Sequence, residues 1–141
     1  MQKYVLTNIP RPGRQTIEQF SRLDVSTVYE AQGKAGLMAP YLKPIIQGRS
    51  ICGPAVTSIC QAGDNLMIHA AIEVCQPGDV LVVTTVGEDN SGMIGELIAR
   101  ALMKRGVQGV VPQADGEGER NQGQDRRGAA QCRFLRIAGS S

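Results

Sequence analysis

A glycine-rich loop, GEDNSGMIGEL at residues 87–97, carries the strongest chemical signal in the sequence. It joins an apolar, strand-like segment to a segment with helical periodicity, and ligands of α/β proteins collect at that end of a sheet. The first turn of a helix has N–H groups without an internal acceptor, and the helix dipole favours an anion there. Gly92 and Gly95 would leave the backbone bare for a carboxylate or phosphate. The spacing fits an ordinary glycine-rich turn equally well.

Other titratable side chains give weaker signals. Glu30 lies near the start of a predicted helix, while Asp64 and Asn65 open another, and a helix cap or a solvated charge explains each of them. His69 lies mid-helix without a partner motif and is interpreted as structural. The sequence contains no Ser-His-Asp order, Walker loop or dinucleotide-binding fingerprint.

Composition bounds the class of protein. The 141 residues suit one domain with an aliphatic core, because 42% are hydrophobic and few are aromatic. A formal net charge of +2 is too balanced to suggest nucleic-acid binding. The first 15 residues lack the apolar core of a secretory signal, and the run VLVV is too short to cross a bilayer. We therefore expect a cytoplasmic protein without a membrane partner.

The cysteines are interpreted as small buried hydrophobes with reduced thiols. None of them has CxxC spacing and the sequence has one histidine, so a zinc site is not expected. The four positions are Cys52, Cys60, Cys75 and Cys132.

Two helices are predicted in the N-terminal part, after a turn or linker at RPGR, residues 11–14. The first has three apolar residues on one face, namely Ile17, Phe20 and Leu23. Ser26 is predicted to cap the second helix with its hydroxyl, and Gly33 or Gly36 to end it.

A strand is predicted over residues 49–61, with an edge or a bulge at Pro54 because proline has no N–H to donate. The helix that Asp64 or Asn65 opens follows, over residues 63–74. The apolar run at 80–86 suits a strand buried on both faces.

The clearest helix is predicted over residues 93–106, with Gly106 at its end. Its apolar repeat consists of Met93, Ile94, Leu97, Ile98, Ala101 and Leu102. The strand VQGVV follows, and strand–helix–strand order with short connections predicts βαβ units and an α/β fold.

The chain is predicted to divide after Val111. Residues 1–111 form the α/β core, whereas residues 112–141 are polar, with five Arg and four Asp or Glu, so 5 − 4 = +1. Such a tract can hardly offset its ordering entropy by burial, and we expect most of it to be disordered or loosely packed.

Four motifs in order carry a resemblance to a known family: VSTVYEAQGKAG, ICGPAVT, GDNLMIHAAIEVCQPGDVLVV and GELIARALMKRGVQGVV. Together they resemble the 4-hydroxy-4-methyl-2-oxoglutarate and 4-carboxy-4-hydroxy-2-oxoadipate aldolases, whose fold the regulator of ribonuclease E activity A shares. The similarity covers about residues 25–111. It implies a layered, swivelling β/α/β-type domain that assembles as trimers or hexamers with sites between subunits.

The resemblance implies a pyruvate aldolase that uses a divalent metal, Mg²⁺ or Mn²⁺, as a Lewis acid on a 2-oxo acid substrate. Backbone N–H groups of Gly95, Glu96, Leu97 and Ile98 would hold the pyruvyl group. Glu30 would assist a bound water as the base that takes the proton of the 4-hydroxyl.

The sequence departs from the family pattern after the last predicted strand. The family carries an Arg-Asp pair there, the Arg for substrate and the Asp for the metal, and the corresponding residues here are Glu117 and Gly118. We interpret the altered tract and the shorter chain as a frameshift, with a natural divergent C-terminus as the alternative. In a natural chain, Arg120 with Glu119 or Asp115 could substitute.

Two functions therefore stay open. The first is a lyase that cleaves 4-carboxy-4-hydroxy-2-oxoadipate to pyruvate and oxaloacetate in aromatic-acid breakdown. The second is a non-catalytic regulator that binds and inhibits a ribonuclease. The VYEA motif with Glu30 favours the lyase, and the shorter length favours the regulator.

Overall fold

The structure is a computed structural model that describes residues 3–38, 42–44, 48–87, 92–113 and 133–136. The described elements are α1 (Arg14–Phe20), α2 (Val25–Ala31), β1 (Lys43–Pro44), β2 (Ala55–Gln61), α3 (Leu66–Val74), β3 (Val80–Val86), α4 (Glu96–Lys104), β4 (Gly109–Gln113) and β5 (Arg133–Arg136). No helix among these is long and apolar enough to cross a membrane.

The strands form one sheet in the order β1-β5-β4-β3-β2. Strands β2, β3 and β4 run parallel, with Ala55 beside Val80 and Val80 beside Gly109, and this row marks the N-terminal edge of the three strands. Helices α3 and α4 provide the crossovers between them, so the predicted α/β class and its βαβ units are confirmed.

The core lies on one face of this sheet. Strand β2 alternates between exposed and buried residues, and Val56 and Cys60 face inward. Helices α3 and α4 cover that face with Ile68, Ile72, Ile98 and Leu102, among others. Pro54 directly precedes β2, which is the last strand in the sheet that the described residues form, and this agrees with the edge predicted at the proline.

Strand β3 is not buried on both faces as predicted. Leu81, Val83 and Thr85 are buried on the core face, whereas Val82 and Thr84 on the other face are only half-buried. The reason is that both crossover helices contribute their buried side chains to one face of the sheet.

The two N-terminal helices bury none of their residues. Phe20 and Leu23 are about half exposed, at 48% and 50%, and Leu23 lies beyond the end of α1. The predicted cap at Ser26 is wrong, because the N-cap position is Asp24 and Ser26 lies inside α2. Gly33 follows the end of this helix with a φ of 76°, in the left-handed region that glycine adopts most readily.

A buried ion pair closes the N-terminal edge of the sheet. Arg11, assigned from sequence to a turn or linker, donates from Nε to Asp79 Oδ1 at 2.9 Å and from Nη2 to Oδ2 at 2.7 Å. The backbone N–H of Gln76 also donates to Asp79 Oδ2, at 2.8 Å, and Arg11 Nη2 donates to the carbonyl of Val74 at 3.1 Å. The Asp79 side chain is 1% exposed, so this Arg11–Asp79 cluster anchors the N-terminal segment to the turn before β3.

Two glycines permit close backbone packing at the same edge. A Cβ on Gly53 would lie 2.1 Å from the carbonyl oxygen of Gly78, and one on Gly106 would lie 3.1 Å from Cβ of Pro77. Gly106 also has a φ of 73° and follows α4, as predicted. The turn before β3 is therefore packed against both neighbouring segments of the chain.

Strand β4 extends past Val111 to Gln113, and β5 pairs with it antiparallel, with Gly109 opposite Arg136. Residues 114–132 and 137–141 lie outside the described residues. The division of the chain after Val111 thus stays a prediction.

Candidate ligand site at the N-terminus of helix α4

Helix α4 begins at Glu96, three residues later than predicted. Met93 and Ile94 precede the helix and are partly buried against the core. Gly95 occupies the N-cap position in an extended conformation, with φ −101° and ψ −176°, and no side chain caps the helix. The first internal bond is the one from the N–H of Ala99 to the carbonyl of Gly95, at 3.0 Å.

The N–H groups of Glu96, Leu97 and Ile98 consequently have no backbone acceptor among the described residues. A Cβ on Gly92 or Gly95 would meet no heavy atom within 4 Å, so the backbone borders open space. N–H groups without an internal acceptor, the positive end of the helix dipole and a backbone that no side chain covers are the features that favour binding of an anion.

Helix α3 differs from α4 in how its first N–H groups are satisfied. Asn65 is its N-cap residue, and the carboxylate of Asp64 accepts the N–H of Leu66 at 2.9 Å, so the opening predicted for these two residues is confirmed. The pKa of Asp64 is lowered, first by its hydrogen bond with Lys3 and second by the one with Leu66. The start of α3 thus has a carboxylate acceptor, whereas α1, α2 and α4 have no side-chain cap.

The side chains of the first turn of α4 point in different directions. Ile98 is buried, whereas Leu97 is 82% exposed, so Leu97 does not belong to the predicted apolar face. The buried residues of α4 are Ile98 and Leu102, which lie one turn apart on the side of the helix that faces the sheet. Glu96 accepts two hydrogen bonds from Arg100, at 2.9 and 2.7 Å, and this pairing offsets its negative charge near the free N–H groups.

Glu30, the predicted base, does not join this group in the described structure. It lies in α2, is exposed, and its side chain has no partner among the described residues. His69 is exposed on α3, which fits a surface residue rather than a core one.

No cluster of three or more His, Cys, Asp or Glu side chains in the described part of the chain is arranged to hold a metal. Glu117 and Gly118 lie outside the described residues, as do Asp115, Glu119 and Arg120. The described side chains therefore do not fit the ligand set that a divalent metal requires.

A surface cavity of about 470 Å³ lies away from this site. It opens between the N-terminal segment and the C-terminal ends of α3 and α4, where Arg105 pairs with Glu73. The charged side chains that line this cavity, Glu73 and Arg105, pair with each other, so the cavity offers a ligand no unpaired charge among the described residues.

The described cysteines behave as predicted for structural thiols. Cys60 and Cys75 are buried, and Cys52 is half-buried with its thiol 3.7 Å from the carbonyl of Ile17. Burial, followed by the charge of Asp79, raises the pKa of Cys75 to about 11, so this thiol stays protonated and unreactive.

Comparison with known proteins identifies the class of protein. The sequence profile of the RraA-like family, described as Aldolase/RraA, matches residues 24–116. The chain belongs to this family, and the α/β fold agrees with it.

The chain is also similar to a curated protein. Over 95 residues the chain is 26% identical to a "Putative 4-hydroxy-4-methyl-2-oxoglutarate aldolase" of Halalkalibacterium halodurans. The matched stretch covers 67% of this chain and 45% of that protein, so the chain spans less than half the length of its relative.

Three structural residues were missed from the sequence. Arg11 and Asp79 lie 68 positions apart, and only the fold shows that they pair. In the sequence Thr85 looks like any other β-branched residue of a strand. In the described structure its hydroxyl is buried without a hydrogen-bond partner. The sequence has no local signal for either feature.

Proposed function

We propose that this protein is a pyruvate aldolase, a carbon–carbon lyase that cleaves 4-carboxy-4-hydroxy-2-oxoadipate to pyruvate and oxaloacetate. On this proposal it also cleaves 4-hydroxy-4-methyl-2-oxoglutarate to two pyruvates, with oxaloacetate decarboxylation as a side activity. Family membership supports the lyase class. The observation that carries the proposal is the uncapped first turn of α4, with its free N–H groups and the bare backbone at Gly95.

In the proposed reaction, the carboxylate of the pyruvyl part binds the N–H groups of Glu96, Leu97 and Ile98. A base takes the proton of the 4-hydroxyl, the new carbonyl forms at C4, and the C3–C4 bond breaks. Its electron pair becomes the enolate of pyruvate, which a proton then quenches at C3. Glu30 is the proposed base, which requires that α2 reach a site formed with another subunit.

A divalent metal, Mg²⁺ or Mn²⁺, is the cofactor that the aldolase proposal includes, and it would supply Lewis-acid stabilisation of the enolate. The described residues do not form its ligand set. We therefore assign no step to a metal.

The proposed setting is a cytoplasmic homotrimer or homohexamer in aromatic-acid catabolism. The exposed apolar residues of α1 and α2 support an assembly, because helices that bury nothing in one chain gain stability when another surface covers them.

A non-catalytic regulator that binds a ribonuclease is the second candidate. The sequence favours it at one place, where Glu117 and Gly118 stand instead of the substrate-binding Arg and the metal-binding Asp of the aldolases.

Pyruvate release from 4-carboxy-4-hydroxy-2-oxoadipate tests the proposal, measured with saturating Mg²⁺ and again with EDTA. We expect the 141-residue chain to show little aldolase activity, since loss of one preorganised electrostatic partner costs roughly 10²–10³ in rate and both the Arg and the Asp are absent at 117 and 118. A variant whose coding sequence after Val111 is translated in the reading frame that restores the Arg-Asp pair should recover this loss of rate. Equal rates for the two chains would contradict the assigned roles of that pair, and no pyruvate from either would favour the regulator.

A further inference from the structure

The hydroxyl of Thr85 is a buried polar group whose partner is missing. The residue is 4% exposed, and its Oγ1 has no hydrogen-bond partner, a property that no other buried side-chain oxygen or nitrogen of the described residues shares. Buried polar groups in native proteins are almost always hydrogen-bonded, so an exception requires an explanation. A ligand oxygen is one such explanation.

The position of Thr85 in the sheet relates it to the candidate site. It lies on the core face of β3 with Leu81 and Val83, which pack in one cluster with Ile98 of α4. Because β3 and β4 are parallel, α4 must run back against β3. The N-terminus of α4 therefore lies at the C-terminal end of β3, which is where Thr85 is.

The described neighbour of Thr85 on β2 does not satisfy its hydroxyl. Its register partner on β2 is Cys60, whose thiol instead contacts the hydroxyl of Ser58 at 3.6 Å. Two kinds of donor thus lie at the same end of the sheet without acceptors among the described residues: the first N–H groups of α4 and the Thr85 hydroxyl.

We propose that Thr85 donates a hydrogen bond to the 2-oxo oxygen of the ligand whose carboxylate binds the first turn of α4. The two acceptors of a 2-oxo acid sit on adjacent carbons, so they need two donor sets a few ångströms apart. Thr85 selects 2-oxo acids over simple carboxylates, because a site built to bond an oxygen discriminates against an analogue that lacks it. This inference rests on the proposed function of the α4 site.

The test compares pyruvate with propionate, which has similar size and no 2-oxo oxygen. Affinities are measured by NMR titration of the full chain and of three variants. Thr85→Val removes the hydroxyl and keeps the shape, Thr85→Ser keeps a hydroxyl, and Gly95→Val obstructs the backbone approach.

Thr85→Val should weaken pyruvate binding roughly tenfold and leave propionate binding unchanged, consistent with loss of one hydrogen bond. Thr85→Ser should retain most of the pyruvate affinity. Gly95→Val should weaken both ligands. Urea unfolding of Thr85→Val should show no loss of stability, which separates a ligand contact from a structural role.

The other outcomes are equally decisive. If Gly95→Val weakens both ligands while Thr85→Val changes neither, the α4 site stands and the role of Thr85 is wrong. Equal weakening of pyruvate and propionate by Thr85→Val would also overturn the selectivity. If the parent chain binds neither ligand, or Gly95→Val binds both normally, the α4 site and the Thr85 inference both fail.

Discussion

The two edges of the parallel strands differ in how completely their polar groups are satisfied. At the N-terminal edge, Asp79 accepts three hydrogen bonds from Arg11 and Gln76, and the backbones of Gly53 and Gly78 are in close contact. At the C-terminal edge, as far as the structure describes the chain, α4 starts without a side-chain cap, the space over Gly95 is open, and the Thr85 hydroxyl has no partner.

This difference indicates which edge stabilises the fold and which is free to bind. Every polar group satisfied within the chain contributes to stability and is closed to a ligand, whereas an unsatisfied donor costs stability until a ligand supplies the acceptor. Open α/β sheets place ligands at the carboxyl ends of their strands. Among the described residues of this chain, the satisfied polar groups likewise lie at the N-terminal edge and the unsatisfied donors at the C-terminal edge.

The largest expected effect concerns the Arg11–Asp79 cluster. Asp79→Ala should lower the free energy of unfolding by about 3–5 kcal/mol, because it leaves the guanidinium and the Gln76 N–H without their acceptor. The control is Glu18→Ala, which breaks the exposed Arg14–Glu18 pair and should cost at most about 1 kcal/mol. Urea denaturation of both variants is the measurement, and similar losses would mean that the Arg11–Asp79 cluster stabilises the fold no more than an exposed pair does.

The next effect compares two glycines. Gly53→Ala should destabilise the protein by roughly 1–3 kcal/mol, because its Cβ would lie 2.1 Å from a backbone oxygen that cannot move freely. Gly95→Ala meets nothing within 4 Å and its φ of −101° suits any residue, so its effect should stay within about 0.5 kcal/mol. A reversed order of the two losses would mean that the open edge is the structural one.

A third prediction uses the thiol of Cys75, which lies at the closed edge. Its folded pKa of about 11 exceeds the ordinary value of 9.0, so the unfolded chain releases this proton first as the pH rises. The contribution of the protonated thiol to the free energy of unfolding is complete below about pH 9 and is lost by about pH 11. It amounts to at most roughly 2–3 kcal/mol. Stability measured across this range should fall less steeply in Cys75→Ala than in Cys52→Ala, and parallel curves would contradict the assignment.

The smallest expected effect is at Thr85. Removing a hydroxyl that has no partner relieves its desolvation cost, so Thr85→Val should leave stability unchanged or raise it by up to about 1 kcal/mol. Thermal unfolding of the ligand-free protein measures this, with Thr57→Val on the exposed face of β2 as the control. A clear loss at Thr85 alone would mean that the hydroxyl has a partner in solution.

Periodicity predicted the helices and strands because local spacing determines which residues face a core. It failed at the start of α4, where Met93 and Ile94 fit the repeat but pack against the core before the helix begins. It also failed for β3, because no pattern within one strand shows that both helices cover the same face. The Arg11–Asp79 pair depends on chain topology, which the spacing of single residues does not contain.

The candidate site was predictable as far as its backbone. The first turn of any helix has N–H groups without an internal acceptor, and the glycines before it predicted a backbone that no side chain covers. The structure has a helix start without a side-chain cap at Gly95. The environment of Thr85 was not predictable, since an unsatisfied hydroxyl is recognised only when every neighbour is known. The roles of Glu30 and of the residues at 117 and 118 stay predictions.

The Arg11–Asp79 contact also sets an order of events during synthesis. Asp79 is added 68 residues after Arg11, which takes roughly 3–14 s at ribosomal rates of about 5–20 residues per second. Until then the N-terminal segment lacks this ion pair, and its Tyr4 and Leu6 are each 75% exposed even in the finished fold. At this contact the N-terminal segment is therefore fixed only after β2 and α3 have been made.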